Sequence, residues 1–198
     1  QPEPDSNDSL KNVYNTIFPK STKLVILTGI ATVGSLGSIS TAIFLFSSKL
    51  QLGSLFGDQI VVDGSSLFFV VIISSVTLLV SIASYDYINK LGNQAEYYSL
   101  LLLAATGMGL MASANSLVIA FIAMELASLP SYALVTYLKG NEGSTESGLK
   151  YFLIGALSSA IFVYGSSLIY GATGSLGLST ISQSILHSSS FSGLLGIG

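Results

Sequence analysis

The chain contains no cysteine and no arginine, and a single histidine among its 198 residues. Without cysteine there are no disulfides, no thiolate metal sites and no iron–sulfur ligation by this chain. One histidine leaves no histidine-rich metal or haem site. The seven basic residues are all lysines and the net charge is −3, so no basic face exists to meet phosphates, which excludes nucleic acid as a partner. Charge of either sign is scarce at 9%, against about 25% in soluble domains. No nucleophile–base pairing, phosphate loop or metal-ligand cluster is visible. Gly171-Ala-Thr-Gly174 and Gly92-Asn93 lack the strand–helix context that nucleotide binding needs.

Apolar residues fill that space. They make up half the chain, and the mean hydropathy is +0.71. This balance predicts an all-α, polytopic transmembrane helix bundle. Residues 1–23 read as a polar tail with an interfacial turn near 13–18, and 24–198 as the transmembrane domain. Spans are expected at about 24–47, 65–87, 97–114, 116–138 and 147–170, with another starting near 191. Turn signals at Gly53, Gly57-Asp58 and Asp63-Gly64 allow a small hairpin over 50–62. An amphipathic piece is expected near 178–186. The chain opens on Gln1 rather than Met and stops on an apolar segment, so both ends read as cut.

Lysine placement orients the bundle. With the tail inside, that side holds Lys11, Lys20, Lys23, Lys90 and Lys139, and the other side holds only Lys49. Small residues recur at Gly29, Gly34 and Gly37, at Gly107 and Gly109, and at Gly155, Ser158 and Ser159, where they allow close helix–helix approach in lipid. His187 and the loop acids Asp58, Asp63, Asp86, Glu96 and Glu142 read as solvated groups.

Span 116–138 carries one carboxylate, Glu125, roughly 14 Å from Ser116 along a helix and thus near the bilayer midplane. A charge there costs about 2.5 kcal/mol or more, so the group needs a reason. One reading is a protonated carboxyl hydrogen-bonded to a Ser or Thr of a neighbouring helix, fixing packing only. The other is a proton carrier in a polar path, because burial disfavours the charged form while a nearby cation favours it. Pro130 has no N–H for the Leu126 carbonyl, which predicts a helix kink just past Glu125. Lys150 lies roughly 9 Å into the fifth span if the helix is capped near Ser144. It either snorkels to the inner surface or stays buried, and Glu146, four residues earlier, can pair with it.

At these residues the sequence resembles a known family. Ala114-Asn-Ser-Leu-Val-Ile-Ala-Phe-Ile-Ala-Met-Glu-Leu-Ala-Ser-Leu-Pro-Ser-Tyr132 resembles the fifth helix of the antiporter-like subunits of respiratory complex I. Glu146-Ser-Gly-Leu-Lys-Tyr-Phe-Leu-Ile-Gly-Ala-Leu-Ser-Ser-Ala-Ile-Phe-Val-Tyr-Gly-Ser-Ser-Leu-Ile-Tyr-Gly-Ala-Thr-Gly174 resembles the sixth helix of the N-type subunit, NADH–quinone oxidoreductase chain 2. The likeness is strong over 97–178, weaker over 24–96, and covers the N-terminal part of that family only.

The resemblance implies a proton-translocating piece of the membrane arm, with Glu125, Lys150 and Glu146 in the proton pathway. It implies no cofactor on this chain, with NADH, FMN, Fe–S clusters and quinone handled by other subunits. Its partners would be other membrane-arm subunits, lipids, and a second chain supplying the later helices with their lysines. An energy-transducing membrane is expected, the mitochondrial inner membrane before a prokaryotic plasma membrane. Two alternatives stand beside this: a subunit of a related multi-subunit cation/proton antiporter or membrane-bound hydrogenase, and a non-conducting structural half-subunit.

Overall fold

A computed structural model describes residues 20–48, 53–90, 94–138 and 140–187. The expected tail turn near 13–18, the further span near 191, and Lys11, Lys49 and Lys139 lie outside the described residues.

Among the described residues, five helices are long and apolar enough to cross a membrane: α1 (Lys20–Ser48), α2 (Gly64–Ala83), α4 (Gln94–Ala112), α5 (Leu117–Val135) and α6 (Glu142–Thr173). Between them lie the hairpin β1 (Gly53–Leu55) and β2 (Ile60–Val62), and the short α3 (Tyr85–Asn89); α7 (Leu178–His187) follows α6. The molecule is the expected all-α polytopic bundle. Its helices run antiparallel in sequence order, α1 against α2 and α4 against α5, with α6 laid chiefly on α5.

Local chemistry sets the helix boundaries. Asp63 accepts from the Ser66 backbone N–H at 2.8 Å, while its own N–H donates to Ser66 Oγ at 2.9 Å, a capping box that starts α2. Asp63 is therefore a helix cap as well as an exposed acid. Ser116 Oγ accepts from Ile119 N–H and starts α5. Helix α6 begins at Glu142 under an Asn141 cap, ahead of the expected start near Ser144, and ends on Gly174 in the left-handed conformation (φ 68°). Ser84 breaks the second span, so Tyr85 and Tyr87 belong to the separate turn α3.

Burial is inverted relative to a soluble domain. The buried face of α2 carries Ser66, Ser74, Thr77 and Ser81, while Phe68, Phe69, Val76 and Leu79 face outward. Lipid accepts the apolar face without penalty, and interhelical hydroxyls hold the polar one. Ser38 and Ser74 bond across α1 and α2 at 2.9 Å, and Thr28 donates to the Tyr98 hydroxyl, which donates to the Ser81 carbonyl. At the same end Leu24, Ala31, Ile88 and Tyr98 form the compact core. Tyr137, ringed by Tyr97, has its phenol pKa raised above the ordinary tyrosine value, first by burial and then by Glu96.

At the opposite end the hairpin locks the connections together. Val61 N–H donates to the Ser113 carbonyl (2.9 Å), Asn115 N–H to Gln59 (2.8 Å), Leu117 N–H to Leu176 (2.9 Å) and Leu178 N–H to Asn115 (3.0 Å). The tight α4–α5 connection is thus a strand-like tie between the hairpin and the start of α7.

Close helix approach depends on particular glycines. A Cβ at Gly107 would lie 2.4 Å from the Ala127 nitrogen, so α4 and α5 touch backbone to backbone. Gly148 and Gly155 of α6 instead receive side chains, the Thr136 methyl just past α5 and the Tyr132 ring of α5. Gly29, Gly34 and Gly37 have nothing within 4 Å, so these glycines of α1 mediate no close approach among the described residues.

Candidate intramembrane carboxylate site

Glu125 stands near the middle of α5, half-buried, and faces α6. The two helices meet along one antiparallel seam. From one end, Ser144 Oγ donates to the Val135 carbonyl (2.8 Å), Gly148 abuts Thr136, and Tyr132 packs edge-on against Tyr151 (4.8 Å) and Phe152 (5.7 Å). Gly155 then lies beneath the Tyr132 hydroxyl, Ser159 donates to Glu125 Oε1, and Phe162 stacks on Phe121 at 6.2 Å. Aromatic pairs thus bracket the carboxyl above and below, and a serine hydroxyl meets it in between. Glu125 has that serine as its side-chain partner, as in the packing reading of the sequence. A proton carrier needs the same contact.

Pro130 is buried within α5, which continues as helix to Val135. The turn it leaves without a hydrogen bond is the one beneath Gly107, whose Cβ would lie 2.7 Å from the Leu126 carbonyl carbon. The α4 backbone therefore covers this weakened turn.

Lys150 and Glu146 pair with each other on α6, with their side chains 69% and 67% exposed. Lys150 precedes Ser159 by nine residues, two and a half turns at about 3.6 residues per turn, which puts it on the opposite face of α6. The fold therefore brings Glu125 to Ser159 and leaves the Lys150–Glu146 pair facing away from α5. The earlier helix start also places Lys150 about 12 Å into α6 rather than 9 Å. Leu149, Leu153, Ile154 and Leu157 surround the pair on that outward side.

Ser159, Gly155 and Tyr132 are the contributors that sequence reasoning did not single out as chemistry. Gly155 and Ser159 were legible as small residues four apart, which marks a helix contact but not which residue of α5 it meets. Elsewhere, a cavity of about 470 Å³ opens among α1, α2 and α4, lined by Gly34, Ser35, Ser38, Ser74, Thr77 and Thr106. No group of three metal-ligating side chains occurs among the described residues.

This arrangement defines a class: a polytopic helical membrane protein with a carboxylate held by hydrogen bonding midway along a membrane-length helix. Residues 114–197, which include every candidate site residue, match the family described as NADH:quinone oxidoreductase/Mrp antiporter, TM. The F(420)H(2) dehydrogenase subunit N of Methanosarcina mazei is 39% identical over 163 residues, covering 80% of this chain and 33% of that protein. NADH-quinone oxidoreductase subunit N of Dehalococcoides mccartyi is 45% identical over 127 residues, covering 64% of this chain and 26% of that protein. A chain of respiratory complex I from Thermus thermophilus with bound Aureothin superposes with a TM-score of 0.67 at 29% identity, over 90% of this chain and 40% or so of that one (41%).

The chain belongs to the antiporter-like membrane subunits of this family and is related to their N-type members. It spans about a third of the length of the curated relatives it matches (33% of the first). The relatives named above are archaeal or bacterial and lend no support to a mitochondrial over a prokaryotic membrane.

Proposed function

We propose that this chain is part of the membrane arm of a respiratory complex, where it contributes to proton translocation coupled to NADH:quinone electron transfer. The observation that carries the reading is Glu125, a carboxylate at mid-helix with a hydroxyl partner across the α5–α6 seam, inside the family-matched region. An isolated carboxylate at that depth is costly, and one with a hydrogen-bond partner can take up and release a proton. Glu125 acts as the carrier, and the Glu146–Lys150 pair modulates it from the other side of α6. The chain is then a subunit of a proton-pumping translocase and performs no redox chemistry itself. NADH, FMN, Fe–S clusters and quinone belong to other subunits. An energy-transducing membrane is the site of action.

An ion pair on an otherwise apolar membrane face calls for a protein cover, which supports partner helices against α6. Relatives about two and a half times as long have helices to supply one.

Glu125→Gln in the assembled complex is the test. Proton pumping should fall at least tenfold, read by a fluorescent pH-gradient probe in inverted membrane vesicles, with the complex still assembled. Unaltered pumping would support the structural half-subunit instead. Sodium-dependent exchange without an electron donor would point to the antiporter reading.

A further inference from the structure

Several hydroxyls on α6 bond back to the carbonyl four residues earlier: Ser158 to Ile154 (2.9 Å), Ser166 to Phe162 (2.8 Å) and Thr173 to Ile169 (2.8 Å). Ser159 does the same with the Gly155 carbonyl at 3.1 Å, but it also reaches Glu125 Oε1. A serine hydroxyl has one hydrogen and two lone pairs, so it donates to one of these acceptors at a time. That one hydrogen must choose.

We propose that Ser159 is the positioning residue of Glu125, a hydroxyl that satisfies the carboxyl in both protonation states by turning between Glu125 Oε1 and the Gly155 carbonyl. The proposal rests on Glu125 as the proton carrier. With Glu125 ionised, the serine O–H donates to Oε1. When a proton arrives on Oε1, the carboxyl O–H donates to a lone pair of Ser159 Oγ, and the serine hydrogen turns to the Gly155 carbonyl. One proton has been added, and rotation about the Cβ–Oγ bond is the accompanying rearrangement. In both states the Ser159 hydroxyl and Glu125 Oε1 keep a hydrogen-bond partner, so neither is left in the costly unpaired condition in an apolar seam.

The surroundings hold both acceptors in place. The Tyr132 hydroxyl lies where a Gly155 Cβ would be (1.9 Å), so the Tyr132 ring rests on α6 at the residue whose carbonyl receives Ser159. Stacking of Phe121 on Phe162 fixes the register one turn to the other side. Ser158 is an exposed neighbour with the same back-bond and no contact to Glu125, and so provides the control.

The experiment uses the assembled complex in native membranes with Ser159→Ala, Ser159→Val, Ser159→Thr, Ser158→Ala and Glu125→Gln. Threonine and valine have the same shape and differ in the hydroxyl, so that pair separates hydrogen bonding from packing even if the alanine variant fails to assemble. Two readouts are taken: the rate of proton pumping, and the infrared carboxylic C=O band that Glu125→Gln abolishes.

Ser159→Ala and Ser159→Val should pump about tenfold more slowly, as loss of a hydrogen bond to a charged group implies, and shift the band to higher wavenumber. Ser159→Thr and Ser158→Ala should match the unaltered complex in both. A band unmoved in the valine variant, or normal pumping with a moved band, overturns the role of Ser159 while Glu125→Gln still fails to pump. Normal pumping by Glu125→Gln overturns the carrier reading itself, and the positioning role falls with it.

Discussion

Glu125 and Lys150 look alike in sequence, each an ionisable group on an apolar helix, yet the fold gives them different surroundings. Glu125 is drawn into a seam and held by Ser159; Lys150 is two-thirds exposed and tied to Glu146 one turn away. An ion pair four residues apart is worth about 0.2–0.5 kcal/mol on a helix in water, so it contributes little to holding this bundle together. Lys150→Ala should therefore leave the helical content and thermal unfolding of the chain nearly unchanged, as circular dichroism in detergent would read. In the assembled complex the same change should lower coupled proton pumping several-fold. An unchanged pumping rate would remove Lys150 and its pair from the mechanism.

At the scale of elements, helix contacts depend on where a side chain is missing. Gly107 lets α4 lie directly on the Leu126–Ala127 peptide, the turn weakened by Pro130. Gly107→Ala must push the two helices apart and should destabilise the bundle by about 1–3 kcal/mol, the range for overpacking. Gly34→Ala faces open space and gains helix propensity, so it should be neutral or stabilising by about 0.5–1 kcal/mol. Melting temperatures of the two variants in the same detergent compare them directly; equal losses would contradict the packing described for α4 and α5. The small residues themselves were visible in the sequence. Which of them meet a neighbour depends on helix rotation, and composition does not encode that.

For the whole molecule, the incomplete cover of α6 matters most. The apolar 18-residue stretch of this helix buries none of its residues, and the charged pair stands on the same helix. Relatives matched by this chain extend to about two and a half times its length. Protein helices of the assembly should therefore cover this face, and in the assembled complex cross-links from positions flanking Lys150 should map to other membrane segments. Mass spectrometry of the cross-linked complex that finds lipid adducts only, with no protein segment opposite Lys150, would contradict this cover. Lipid alone against Lys150 would be the costly alternative.

Five membrane-length helices, their order and a carboxylate midway along the fourth of them follow from the sequence by itself, because hydropathy over about 20 residues is a local property. Even the hairpin was legible, since its glycines and aspartates permit the turn. Asp63 as a cap was readable in principle from the Ser66 hydroxyl three residues on. The partner of Glu125 was not. Ser158 and Ser159 are adjacent, chemically identical and equally small, and only the rotation of α6 against α5, set by Gly148, Gly155 and the ring contacts, turns one toward the carboxyl and leaves the other exposed. The same rotation carries Lys150 to the far side, because residues nine apart on a helix point in opposite directions.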